Sequence, residues 1–319
     1  MPEVLLPWLN GRIDLRTAYT FSRGMVLNFF RDVTEHPGHF GVPAANVPDL
    51  LSIMQDIYRL RETDIQESHP DGPDYLVPPP PQSIDRVPNP KWPNARTTIL
   101  INRSMYDEVP YWALSDLVGL FMSSLGRAPA GANKRNFYLP LTTVCGMWCG
   151  KLMRDNPGQG QQRIRPRVYQ CTWNDQDDFF LGASRGGFAH DPEKPWLAVV
   201  DRARFSIVNC EPLKLADWSL ARSPMLLRSK RRGTPFGRCA ETYPFRKLLM
   251  GCSEGDAERV YGVAVNDEFM FSPHYDDRLS GAAWDNIWNP CANCKELIRI
   301  HGGNLDNFLK WTGGEGAPP

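Results

Sequence analysis

Apolar residues recur at helical spacing near the start of the chain. Phe21, Met25, Phe29 and Phe30 form one series, and Leu50, Leu51, Met54, Ile57, Tyr58 and Leu60 a second, so the span Leu15–Glu67 predicts two helices. Pro37, Gly38, Gly41 and Pro43 lie between the two series and suit a turn. From His69 to Pro93 the helical period is lost and prolines cluster, with the run Pro78–Pro81 and then Pro88, Pro90 and Pro93. Proline lacks an N–H and fixes φ, so this stretch predicts an extended, semi-rigid connector; a ligand for a proline-binding partner is the alternative. Helical spacing returns over Tyr111–Leu125, with Leu114, Leu117, Val118, Phe121 and Met122 on one side, and over Arg135–Met153, broken near Pro140.

After the turn Asn156–Gln162 the period changes. Arg167–Trp173, Phe179–Ala183, Trp196–Val200 and Phe205–Val208 are short, aromatic and β-branched, and predict strands. A helix over Cys239–Met250, a strand over Val260–Val265 and a helix over Cys291–His301 follow, and Asn304–Trp311 looks helical. No fixed-period repeat is visible. The organisation expected is a helical N-terminal region (1–68), a Pro-rich linker (69–93), a mixed α/β domain (94–312) and a disordered tail (313–319).

Composition narrows the class. The 319 residues include 42% apolar and 23% charged side chains, with 36 basic against 36 acidic. That is the balance of a folded globular chain with no overall attraction to nucleic acid or anionic lipid. No apolar run reaches the ~20 residues needed to cross a bilayer, and the start, Met-Pro-Glu-Val-Leu-Leu-Pro-Trp, lacks the features of a signal peptide. A cytoplasmic location is therefore expected, in which the eight cysteines serve as thiols or metal ligands rather than disulfides.

Two cysteine segments stand apart: Gly237-Arg238-Cys239-Ala240-Glu241 and Asn289-Pro290-Cys291-Ala292-Asn293-Cys294-Lys295. Cys291 and Cys294, at i and i+3 where a helix opens, lie on one face, so both sulfurs can reach one ion. The helix N-terminus favours thiolate over thiol, and Pro290 pre-sets the backbone there. The partner cysteine is open at this level. Cys145 or Cys149 could close a purely structural four-sulfur site, leaving Glu241 a solvated helix residue, or Cys239 could supply a third sulfur.

The order Cys-x-Glu and then Pro-Cys-x-x-Cys resembles the zinc-dependent cytidine deaminase superfamily, in its branch with three cysteine ligands. The resemblance covers about Arg163 to His301, where strand, strand, Cys-Ala-Glu helix, strand and Pro-Cys-x-x-Cys helix follow one another. It implies a three-layer α/β/α domain, Zn2+ on Cys239, Cys291 and Cys294 with one position left for water, and Glu241 as the catalytic proton carrier. Hydrolytic deamination of an amino-substituted nucleobase, nucleoside or related heterocycle would be the reaction. Three departures accompany it. A long insertion from about Asn266 to Trp288 separates the motifs, the strands usual after the second motif are not evident, and no Asn-x-Glu ribose-binding segment precedes Cys239.

Arg222, Arg228, Lys230, Arg231, Arg232 and Arg238 occupy an acid-free span before the first motif. They form either a phosphate- or RNA-contacting loop or a solvated surface. Trp288 could stack a flat ring beside the metal, and His274 could assist proton transfer, though both also suit a structural role. The candidate substrate-binding set is thus Trp288, Arg238, Arg232 and His274. The partners expected are a small heterocycle, or nucleic acid such as tRNA through the Arg222–Arg238 loop, with self-association open and no membrane. Two further functions remain in view: a tRNA-dependent biosynthetic enzyme, of the type of the arginine-containing cyclodipeptide synthases of fungal secondary metabolism, and a non-catalytic zinc-stapled interaction module. Cys171, Cys210 and Cys252 are expected in the core.

Overall fold

The structure, a computed structural model, describes residues 4–61, 87–89, 92–97, 99–101, 109–111, 113–152, 166–185, 204–205, 207–209, 235–276, 278 and 280–311. The run Pro78–Pro81, the expected strand Trp196–Val200, Cys210, Asp277 and the tail fall outside them, as does the basic span except Arg238.

The N-terminal region holds α1 (Leu15–Tyr19), α2 (Arg23–Glu35) and α3 (Val47–Arg61). Asp14 and Ser22 cap the first two by accepting from the backbone N–H of Thr17 and Met25, which satisfies donors the helix cannot. The buried stripe of α2 is Val26, Phe29, Phe30 and Val33, and Met25, expected on that stripe, is 47% exposed. Leu51 likewise faces solvent while Leu50, Ile53 and Ile57 are buried. In both helices an i, i+3, i+4, i+7 stripe wins over the neighbouring apolar residue, because only it faces the core. Two short antiparallel ladders follow, β1 (Val87–Asn89) with β2 (Trp92–Thr97) and β3 (Ile99–Ile101) with β4 (Val109–Tyr111). The end of the Pro-rich stretch is therefore a paired strand, and Pro88 lies in a two-stranded ladder, where a missing donor is tolerated.

The helix α4 (Leu114–Ser123) is buried on nearly every side. Next, Lys134–Tyr138 forms a π-helical turn that runs into α5 (Leu139–Leu152). The break expected near Pro140 is thus a change of helical pitch just before it, with Pro140 held in the first turn, where its missing N–H costs least.

The central sheet is four-stranded, with the order β6–β5–β7–β8, from β5 (Val168–Asn174), β6 (Phe179–Ala183), β7 (Val260–Asn266) and β8 (Ile287–Trp288). Every pairing in it is antiparallel. Of the segment expected to be a strand at Phe205–Val208, the described residues Phe205, Ile207 and Val208 are instead helical, with the Asn209 N–H donating to the Phe205 carbonyl at 2.9 Å. Its neighbour Arg204 lies in the same turn, with its guanidinium bonded to Asp116 and to the Gly237, Ala183 and Cys239 carbonyls. The expected helix Cys239–Met250 is α6 (Thr242–Leu248), after which come α7 (Glu254–Ala257), α8 (Ala282–Asp285) and α9 (Ala292–Ile300). The final segment is reduced to a 3-10 turn, Leu305–Phe308.

Helices cover both faces of the sheet. Tyr169, Cys171, Leu181, Val263 and Val265 join one hydrophobic core with α1 to α5, and that core reaches back to Trp8. On the opposite face Val260 packs with Phe245 of α6, Leu297 and Ile298 of α9, and Phe308. Alternating strand residues thus feed two cores. Two glycines permit the close approaches. A side chain at Gly119 would meet the Leu181 carbonyl at 2.8 Å, and one at Gly182 would overlap the Ala240 carbonyl and the Pro244 ring. Here α4 and α6 press against opposite faces of β6. Among the described residues no helix is long and apolar enough to cross a membrane.

Candidate metal centre

Cys239 sits in the loop ahead of α6, and Glu241 is the residue from which that helix starts. Cys291 is the N-cap of α9, and Cys294 lies in its first turn. Because α6 and α9 pack together in the second core, beneath β7, their N-termini converge. The Cys239 and Cys291 sulfurs stand 3.3 Å apart, and those of Cys291 and Cys294 3.5 Å apart.

These three cysteines form the only group of three or more His, Cys, Asp or Glu, among the described residues, positioned to hold a metal ion. Four tetrahedral ligands at ~2.3 Å would place sulfurs ~3.8 Å apart, so closing on an ion needs an outward shift of only a few tenths of an ångström. Three soft donors and a buried carboxylate beside them fit such an ion chemically.

The electrostatics of the cluster are uneven. Hydrogen bonding with Cys239, then with Cys294, pulls the Cys291 thiol down to about 3. The Cys239 thiol is pushed well above its usual range by that same bond to Cys291, and Cys294 is pushed up first by burial. Glu241 is 6% exposed. Burial, then the charge of Cys291, raises its carboxyl to about 7, while a hydrogen bond from Cys294 opposes the rise. A carboxyl in that range exchanges a proton near neutrality. Cys294 is buried and Cys291 exposed, so the cluster opens to solvent on the Cys291 side.

The other expected residues divide. Trp288, on β8 three residues before Cys291, is 49% exposed. Arg238 is buried, and its carbonyl accepts from the Arg185 N–H at 2.9 Å. His274 lies on an exposed turn, its carbonyl held by the Ser272 hydroxyl, and belongs to no metal-holding group. Arg232 lies outside the described residues. Cys145 and Cys149 are in the middle of α5, buried in the first core. They do not complete the site, so the closed four-sulfur arrangement through either of them is not formed. Cys171 is in the core as expected, whereas Cys252 is only half-buried and bonds the Leu248 carbonyl.

Arg204 and Asp116 went unnoticed in the sequence. They form a buried ion pair at 2.7 Å, with both side chains within 2% of full burial. The one available signal was an arginine directly before the largely apolar segment Phe205–Val208. Comparison of the chain with protein-family models, with curated proteins and with solved structures finds no match in any of the three.

Proposed function

We propose that the cluster holds Zn2+ and that the protein is a hydrolytic deaminase of an amino-substituted heterocycle. The observation that carries this reading is the burial of Glu241 against the three sulfurs. A purely structural site has no use for a buried carboxylate beside its sulfurs, and burying one without a role is costly. The chain order β5, β6, α6, β7, α9 is also the order that the resemblance to the deaminase superfamily implies. The sheet ends differently, with the two-residue β8 hairpinning onto β7 before α9 and only a 3-10 turn described after it. That departure favours a substrate other than free cytidine.

Cys239, Cys291 and Cys294 would hold the ion. When bound, it supplies Lewis acidity that makes water nucleophilic at neutral pH. Glu241 takes one proton of the attacking water and passes it to the ring nitrogen next to the attacked carbon, then moves the remaining hydroxyl proton to the amino nitrogen. A C–O bond forms, the C–N bond breaks, ammonia leaves, and the ring carbon ends as a carbonyl. The exposed Cys291 edge admits the substrate, and Trp288 beside it offers a face for stacking.

The test is ammonia release from a panel of cytosine, cytidine, adenosine, guanine and an aminopterin ring, using zinc-loaded protein treated with RNase. The reading expects release from at least one ring, abolished in Glu241→Gln with zinc retained. No release from any ring, or release undiminished in Glu241→Gln, would overturn it. A product formed only before RNase treatment would point instead to the tRNA-dependent chemistry.

A further inference from the structure

Arg204 is 1% exposed, and its guanidinium is committed in four directions. Nε donates to the Gly237 carbonyl at 2.6 Å, and Nη1 to Asp116 Oδ2 at 2.7 Å. Nη2 donates to the Ala183 carbonyl at 2.9 Å and to the Cys239 carbonyl at 2.8 Å. The guanidinium also lies over the Tyr243 ring, 5.1 Å from its centroid. One side chain therefore ties α4, the end of β6, α6 and both sides of the loop that carries Cys239.

The loop is built around this clamp. Gly237 adopts φ +85, and a Cβ there would stand 2.6 Å from the Arg204 carbonyl carbon and the Phe205 nitrogen. Only glycine lets the two backbones meet at this point. The Thr242 hydroxyl donates to the same two carbonyls, Gly237 at 2.9 Å and Cys239 at 2.8 Å. The carbonyl between them, that of Arg238, is held by Arg185. Three successive carbonyls through the cysteine are thus fixed. Cys291 and Cys294 need no such device, because one helix start fixes their spacing. Cys239 comes from a separate segment, and its carbonyl is held by Arg204 and Thr242.

We propose that Arg204 is a positioning residue of the metal centre, holding the Cys239 loop in ligating geometry, and that Asp116 holds Arg204 in turn. The inference rests on the metal reading above and adds that a helix from the first half of the chain sets one ligand of a site in the second half. A buried charged pair is a poor source of stability, since apolar residues of similar size often serve a fold as well or better. A guanidinium bonded to the carbonyl of a ligand residue and to the carbonyl two residues before it has a use that apolar residues cannot supply.

The experiment is a cobalt(II) titration of the full chain, read by the thiolate-to-metal charge-transfer band and by competition with zinc. Two variants accompany the native protein. Arg204→Met with Asp116→Leu removes the clamp while leaving no buried charge unpaired. Arg204→Lys keeps the charge but has one ammonium for divergent acceptors. Both are expected to unfold cooperatively, to bind cobalt 10- to 100-fold more weakly, as loss of a ligand-orienting partner typically does, and to show a weaker charge-transfer band. Ile53→Ala, a buried change in α3, serves as a destabilised control and is expected to keep native affinity and spectrum. Native affinity in a folded variant of either kind would overturn the proposal, and if one variant folds poorly the other decides. Absence of binding by the native protein would instead remove the metal reading, and this inference with it.

Discussion

Cys145, Cys149 and Cys171 differ from Cys239, Cys291 and Cys294 in almost every respect except residue type. The first set sits in the middle of α5 and β5, in a core shared by the N-terminal helices and the sheet. There burial pushes the Cys149 and Cys171 thiols well above their usual range, and sulfur behaves as a small apolar group. The second set sits where α6 and α9 begin, with sulfurs within 3.3 to 3.5 Å along the cluster, and there Cys291 is pulled down to about 3, first by hydrogen bonding with Cys239 and Cys294 and then by the backbone of Cys294 and Asn293. Regular structure makes cysteine inert, and its ends make cysteine available.

The sharpest break between the two sets is metal affinity. Cys291→Ser is expected to weaken zinc binding on the order of 1,000-fold or more, as loss of one of three protein ligands should. A competitive chelator titration reads this, and Cys171→Ser should leave the affinity unchanged. Next in size is Gly182→Ala. An added Cβ there meets the Ala240 carbonyl and a proline ring, and backbone cannot easily yield. A loss of about 2 kcal/mol with weakened metal binding is expected, seen by urea denaturation and the same titration. Gly146→Ala, whose Cβ would meet the Phe269 and Tyr169 rings, should lower stability only.

Smaller again is Cys171→Ala, which leaves a small cavity in the first core and should cost about 1 kcal/mol at pH 7 with metal content intact. The least effect is in its pH dependence. The folded thiol of Cys171 stays protonated above its ordinary value of 9.0, whereas the unfolded thiol ionises there. The stability it contributes is full below that pH and is lost as pH rises past it, by up to about 1.4 kcal/mol per unit. Urea midpoints of native and Cys171→Ala proteins should therefore converge between pH 8 and 10. Parallel curves would show that the thiol is not held neutral by the core.

Much of this was legible in the chain. The i, i+3 spacing of Cys291 and Cys294 and the order of β5, β6, α6, β7 and α9 follow from local period and motif, because both are properties of a few consecutive residues. Three things were not legible. Phe205–Val208 carries a strand-like apolar composition, yet its described residues are helical, and Arg204 of the same turn pairs with Asp116, 88 residues away, which no local pattern reveals. Met25 and Leu51 satisfy helical spacing but lie just off the stripe that tertiary packing selects. The third sulfur was not legible from spacing alone, which allows Cys145 or Cys149 as well; the resemblance pointed to Cys239, and the meeting of α6 and α9 brings that sulfur to Cys291.

Metal content of the purified chain tests the central claim most directly. Elemental analysis after gel filtration in zinc-containing buffer and removal of free metal is expected to find one zinc per native chain. Serine variants of Cys239, Cys291 and Cys294 should each lose it, while those of Cys145, Cys149 and Cys171 retain it. A native protein without zinc, or a Cys239→Ser protein with its full complement, would contradict the account.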